Sequence, residues 1–296
     1  MTWIDTTIDE LAAAEAWSYR AGATPATEPT ALAALTLGVH GRTEAAERAS
    51  RWLVEYQNVD GSLGINADQD APHWPTSLAV LAWCAADAAA NGSPRYSENI
   101  ARATRWIDSV GGKPAERTAD LGHDTTLIGW PWVEGTHSWM EPTAWCVLAL
   151  KASGQGEHPR TREAVRLLID RLLPEGGANY GNTWVLGQLL RPHLEPTGVA
   201  LLALAGEEDQ DGRIAKSRAW LASGLGPTTT AASLAYGLMG LAASDEVPRQ
   251  ADRWLADAAV QTRTLVGYQP RLTLLTLAAL GAECPLITLP RQKVHG

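Results

Sequence analysis

Phenylalanine is missing from all 296 residues, and only three cysteines occur. A core of this size must therefore be filled by Leu, Ala and the 13 tryptophans. Cys84, Cys146 and Cys284 are too few, and lack the Cys-x-x-Cys spacing, for a disulfide framework or a zinc knuckle. Basic runs are lacking too. Arg42, Arg48, Arg51, Arg102, Arg105 and Arg160 are scattered, and a net charge of −9 repels a polyanion, so nucleic acid is not an expected partner. No stretch approaches the roughly 18 uncharged apolar residues of a spanning helix. The first 15 residues carry acids without a basic-then-apolar signal pattern, and a cytoplasmic protein is expected. An apolar fraction of 45% excludes disorder, and folding at this length buries roughly 75% of the unfolded surface.

What is present repeats. Ala-Ser-Arg-Trp-Leu at 49–53 returns as Ala-Thr-Arg-Trp-Ile at 103–107, Ser-Arg-Ala-Trp-Leu at 217–221 and Ala-Asp-Arg-Trp-Leu at 251–255, with Ala-Val-Arg-Leu-Leu at 164–168. Each copy lies in an amphipathic stretch, which predicts helices with one wet face. A second phrase alternates with the first: Glu28-Pro29-Thr30, Trp74-Pro75-Thr76, Glu141-Pro142-Thr143, Glu195-Pro196-Thr197, and the looser 229–232 and 269–272. Pro suits the first turn of a helix, and the residues that follow are apolar on nearly all sides. Those helices must be enclosed.

In chain order the pairs fall at roughly 5–15/28–39, 43–57/75–89, 96–109/141–153, 160–173/195–205, 212–223/228–243 and 247–261/270–281. Six half-wet and six enclosed helices predict an all-α fold, an (α/α)6 barrel of six outer–inner pairs, as one domain over 1–296. An open solenoid of helix pairs would expose one face of its second helix, so the all-round apolar inner set favours closure. The buried Cys84 and Cys146 read as small core residues, and Glu207 to Gly212 as an exposed turn.

The stretch Arg51-Trp52-Leu53-Val54-Glu55-Tyr56-Gln57-Asn58-Val59-Asp60-Gly61-Ser62-Leu63-Gly64 resembles the glutamine–tryptophan repeat of the squalene–hopene cyclase and protein prenyltransferase β-subunit superfamily, with Leu63 in place of the terminal Trp. Trp17-Ser18-Tyr19-Arg20 and the segment Gly176 to Asn182 echo it. The resemblance implies an α/α toroid in which the Gln ties a helix end to its neighbour. Catalytic motifs depart from the superfamily's. Class II cyclases carry Asp-x-Asp-Asp-Thr at an inner-helix start; the matching positions here are Trp139-Met140-Glu141-Pro142-Thr143, which puts Glu141 where the proton donor stands. A helix N-terminus lowers a carboxyl pKa, so Glu141 is expected to be an ionised cap or acceptor unless burial overrides the dipole. The Asp-x-Cys of the zinc prenyltransferases and the Cys-His-Gly of LanC-like cyclases are absent. No cofactor is expected.

Parallel inner helices open all their leading loops onto one rim. Those loops hold Asp68, Asp70, His73 and Trp74, then His123, Asp124, Trp130, Trp132, Glu134, His137 and Trp139, then Tyr180, Trp184 and His193. Two arrangements fit: an apolar pocket with convergent polar groups, or tryptophans that plug the mouth. The candidate catalytic residues are Glu141, Glu195 and Asp70. Candidate ligand-binding residues are Glu28, Trp74, Trp130, Trp132, Trp139, Trp145, Tyr180, Trp184, His73, His137 and His193. Asp68, Asp70 and His73 form a weak metal candidate. The leading expectation is a terpene-cyclase-like toroid that binds an isoprenoid or other apolar small molecule in its central cavity, with its transformation left open. Two alternatives stand beside it: a non-catalytic interaction scaffold, and a carbohydrate-active enzyme using rim carboxylates such as Asp70 and Glu141.

Overall fold

The structure is a computed structural model that describes residues 2–90, 93–118 and 120–292. Outer helices α1 (Trp3–Ala13), α3 (Thr43–Glu55), α5 (Ser97–Ser109), α7 (Pro159–Asp170), α9 (Arg213–Gly224) and α11 (Ala251–Thr262) alternate with inner helices. The inner set is α2 (Thr27–Val39), α4 (Thr76–Ala89), α6 (Met140–Ala152), α8 (Leu194–Ala203), α10 (Ala231–Ala242) and α12 (Gln269–Ala278). A two-residue hairpin pair, β1 (Trp184–Val185) with β2 (Gln188–Leu189), decorates the loop before α8.

Burial separates the two sets as their patterns require. In α3 the buried positions Ala45, Ala49 and Leu53 recur every fourth residue, while Glu44 and Arg51 face water. In α2 every residue from Pro29 to Leu37 is buried. Each inner helix packs on the next around a ring, and α12 returns to α2. The barrel is closed, an (α/α)6 toroid.

Closure is tightest between α8 and α10. A Cβ on Gly198 would lie 2.4 Å from the Tyr236 carbonyl oxygen, and one on Gly240 would lie 2.6 Å from that of Gly198. Two helix backbones touch there, which only glycine permits.

The glutamine–tryptophan-like segment has a structural task. Gln57 Nε2 donates to the carbonyls of Gly61 and Asn99, each at 3.0 Å, and Asn99 returns a bond to Gln57 Oε1 at 2.7 Å. Gly61 sits at φ 102°, with its Cα against the Arg102 carbonyl, so the α3 exit is stitched to α5.

Two features lie outside the sequence expectation. After α12 the chain makes a 3-10 turn (Gly281–Glu283) and a further helix, α13 (Pro285–Arg291), packed on α6 and α4. Leu286, Ile287 and Leu289 are buried, Arg291 bonds the Ala243 carbonyl, and the Cys284 thiol lies 3.6 Å from Met239 Sδ. The end of the barrel formed by the inner C-termini is thereby covered. The turn at 207–212 is also more than an exposed connection. Glu207 is held by Lys151 at 2.7 Å and by Arg162 at 2.8 Å, and Asp209 accepts from the backbone N–H of Arg213 and Ile214 at the start of α9. Opposite charges distant in sequence make that site, which local composition does not reveal. All three cysteines are buried and free.

Candidate functional site

The Pro-Thr phrases build the open rim. Thr143 Oγ1 accepts from the Trp130 N–H at 2.9 Å, Thr76 Oγ1 from Leu63 N–H at 2.8 Å, and Thr197 Oγ1 from Ala178 N–H at 2.8 Å. Thr30 Oγ1 reaches the Trp17 carbonyl at 3.4 Å. In each case a buried hydroxyl fastens the incoming loop to the first turn of an inner helix. For Thr30, Thr143 and Thr197 the residue two places earlier is the second of its helix. Glu28 in α2, Glu141 in α6 and Glu195 in α8 therefore occupy one register around the mouth.

These three carboxyls act on one another. Burial pushes Glu141 up to about 7, with the charges of Glu195 and Glu28 adding to the shift. Burial also raises Glu28, where the Tyr19 hydroxyl opposes it by donating to Oε2 at 2.6 Å and Glu195 adds to it. Glu195 is raised by burial, against the pull of the Ser233 hydroxyl at 3.5 Å. Each is only partly covered, yet each is desolvated. The sequence argument from the helix dipole is thus overridden: desolvation and like charge outweigh a partial positive charge at the helix N-terminus.

Around the carboxyls the structure gathers several expected residues. The Met140 N–H donates to the Tyr180 carbonyl at 2.9 Å, bringing Tyr180 beside Glu141, and the Tyr180 ring lies 5.0 Å from His193. Burial and the charges of Glu141 and Glu195 raise the Tyr180 pKa. His137 stacks on Trp139 at 4.7 Å. Trp145, 4% exposed, meets Tyr236 edge-on at 5.6 Å one turn below Glu141. Buried Arg171 donates Nη1 to the Ser138 carbonyl at 2.7 Å and braces the entry to α6.

Tyr236, Tyr19 and Ser233 lie outside the candidate set that the rim loops supply, Tyr19 entering the sequence argument only in the Trp17–Arg20 echo of the repeat. Burial, followed by the charges of Glu28, Glu195 and Glu141, raises the Tyr236 pKa, so its hydroxyl belongs to the same cluster. A signal existed: a tyrosine inside an otherwise apolar enclosed helix must place its hydroxyl somewhere.

Other expected residues lie elsewhere. His73 Nδ1 pairs with Glu134 Oε1 at 3.0 Å, and Trp74 meets Trp132 edge-on at 5.0 Å. With Trp106, Trp130 and Pro142 they line a crevice of about 20 Å³, room for about one water. Trp130 is 2% exposed; its indole N–H donates to Ile107 O at 2.8 Å, under the Arg160 guanidinium. In this sector the rings pack on one another. Trp184 lies on the hairpin, facing a cleft with Gly122, Pro174 and Arg213. Asp70 accepts from Asn58 Nδ2 at 2.7 Å, and its Oδ1 lies 3.7 Å from His73 Nε2.

The metal candidate is corrected. Asp68 accepts from Thr24 at 2.7 Å, Asp70 is held by Asn58, and His73 turns to Glu134. Among the described residues no three His, Cys, Asp or Glu side chains are grouped so that they could hold a metal ion. Asp68 and His73 are drawn to partners in other loops, Thr24 before α2 and Glu134 before α6, while His73 Nε2 stays 3.7 Å from Asp70 Oδ1.

No family profile matches this chain, and no curated protein matches it. Solved structures do. Rex8A from Paenibacillus barcinonensis, complexed with xylose, superposes with a TM-score of 0.59 at 10% identity, over 96% of this chain and 92% of that one. A type II terpene cyclase from Scytonema gives 0.54 at 15% identity, over 88% and 77%. Salmonella alpha-2-macroglobulin reacted with methylamine gives 0.55 at 14% identity over 94% of this chain, which spans 17% of that protein's length. At such identities the likeness is one of fold: the α/α toroid is shared by proteins of different activity. No helix among the described residues is long and apolar enough to cross a membrane.

Proposed function

We propose that the chain is a toroid enzyme whose mouth performs general-acid chemistry on an apolar, oxygen-bearing small molecule, with Glu141 as proton donor. The observation that carries this reading is a carboxyl titrating at about 7 among two other carboxyls, above the aromatic floor of Trp145 and Tyr236. A group of that acidity keeps a large share of its proton at neutral pH and can hand it to oxygen as a bond to carbon breaks. It is too weak an acid to protonate an isolated alkene readily. The substrate is therefore an isoprenoid epoxide, alcohol or ether before a bare polyene. Prenyl diphosphates are disfavoured, because a diphosphate would meet like charge from the ionised fraction of the three glutamates. Glu195 and Glu28 are placed to take up a proton or stabilise developing positive charge.

A second reading is supported by the same carboxyls, by the exposed ring pair Tyr180–His193 and by exposed His137 on half-buried Trp139 at the rim. Glycosidic oxygen also needs one protonated and one ionised carboxyl, and such rings stack on sugars. Here the pair would be Glu141 with Glu195 or Glu28, in place of Asp70.

Purified protein incubated with isoprenoid epoxides and alcohols, and separately with xylo-oligosaccharides, tests both readings by product analysis. Turnover of one class, abolished by Glu141→Gln without loss of folding, is expected. No product from either class, with the fold intact, would overturn the catalytic reading and leave a scaffold.

A further inference from the structure

A second opening lies at the end of the barrel opposite the mouth, where α13 covers the ring. It is a cavity of about 230 Å³ between the C-terminal halves of α2 and α4, the first part of α3, and α13. Its walls are small and apolar: Ala34 on α2, Ala46 on α3, Ala85 and Ala86 on α4, and Leu289 on α13. Alanines on three helices leave a space that a fourth helix laid across them does not fill. An apolar cavity of about 150 Å³ already admits benzene, so this one takes a body of that size or somewhat larger.

One wall is polar. Glu47 and Ser50 of α3 line the cavity together with Arg95, which precedes α5. Arg95 places Nη2 2.7 Å from Glu47 Oε2, and its guanidinium carbon lies 5.5 Å from the centre of the Tyr96 ring. Tyr96 is 4% exposed, and its hydroxyl is buried with no hydrogen-bond partner among the described residues. That hydroxyl stands beside the two polar lining residues of α3: burial raises its pKa to about 12, Glu47 adds to the rise, and Arg95 and Ser50 oppose it. An unpaired hydroxyl in such a wall is destabilising until something arrives to bond it.

We propose that this cavity is a second small-molecule site, which takes a neutral ligand with an apolar body and one hydroxyl, the body against the alanines and the hydroxyl beside Tyr96 and Ser50. It is independent of the mouth and of the reaction proposed there. Charge selects the head. Glu47 and Arg95 already neutralise each other, so a carboxylate would meet Glu47 and an ammonium would meet Arg95. A hydroxyl both donates and accepts, and it bonds the Tyr96 hydroxyl without breaking that ion pair. Size selects the body: a peptide helix, about 10 Å across, does not enter a space of this volume.

The test compares n-hexanol, hexanoate and hexylammonium, one chain with three heads, by titration calorimetry at about pH 7.5, where the last two are charged. NMR of labelled alanine methyls places the ligand. Hexanol is expected to bind about tenfold more tightly than either ion and to shift the Ala46 and Ala85 methyls. Tyr96→Phe removes an unpaired hydroxyl, so its Tm should equal or exceed that of the wild type, while hexanol should bind it about tenfold more weakly. Ala86→Leu narrows the cavity and should abolish binding of all three probes; if that variant does not fold, the Tyr96→Phe comparison still decides. No binding of hexanol, a preference for either ion, or methyl shifts confined to the mouth would overturn the proposal. So would a lower Tm or an unchanged hexanol affinity in Tyr96→Phe, or undiminished binding to a folded Ala86→Leu. Turnover at the mouth, present or absent, bears only on the general-acid reading.

Discussion

The Tyr19 hydroxyl donates to Glu28 Oε2 across 2.6 Å, joining the loop before the first inner helix to the carboxyl at that helix's second position. The bond is the one influence that lowers the pKa of Glu28, against burial and the charge of Glu195. Tyr19→Phe should therefore raise the Glu28 pKa further. A carbon-detected NMR titration of the glutamate carboxyls reads this directly, and an unmoved or lowered midpoint would contradict the assignment.

Glu141 has a linked effect on stability. Its folded pKa, about 7, stands above its ordinary value of 4.5, so the folded state holds the proton more tightly than the unfolded chain. The stabilising contribution is complete below about pH 4.5 and is lost as pH rises through about 7. Its ceiling is about 3 kcal/mol, reduced by the partial exposure of the group. Glu141→Gln should flatten the fall in Tm between these pH values, and the variant should be the more stable protein at about pH 8. A wild-type Tm that climbs across this interval and a variant that tracks it would refute the coupling.

Gly198→Ala tests the contact of α8 with α10. Alanine is the better helix former by about 1 kcal/mol, so propensity alone predicts a gain. The new methyl would meet the Tyr236 carbonyl oxygen at 2.4 Å, and a net loss of about 2 kcal/mol is expected from overpacking. Urea denaturation measures it; equal or greater stability would show that the two backbones can separate freely.

Thr143→Val keeps shape and removes the hydroxyl that receives the Trp130 N–H at 2.9 Å. Both groups are buried, so the orphaned N–H should cost about 1–3 kcal/mol. Hydrogen exchange at the Trp130 amide should accelerate as well, and unchanged protection would mean another acceptor replaces the threonine.

Much of the architecture was legible in the chain before folding. The Arg-Trp-Leu phrases marked one-sided helices, and the Pro-Thr phrases marked helices with no wet face. Inner α2, buried from Pro29 to Leu37, can be satisfied only inside a ring. The register of Glu28, Glu141 and Glu195 was legible too, because the same Pro-Thr pair follows each. Less so was α13, a seven-residue apolar helix outside the period of the repeat.

The site depended on distance in space. Asp70 and Glu141 stood together as rim carboxylates in the sequence, but Asn58 holds Asp70 on its own loop. Tyr236, far along the chain and inside an apolar helix, joined the glutamates because α8 and α10 touch at glycine. The protonation of Glu141 was beyond any reading of its neighbours in the chain. Composition and periodicity determine which surfaces of this protein must be buried, and hence the closed ring of helices. Desolvation and like-charge repulsion are summed over atoms that only the closed ring brings together. Whether Glu141 carries a proton was therefore decided by the tertiary structure.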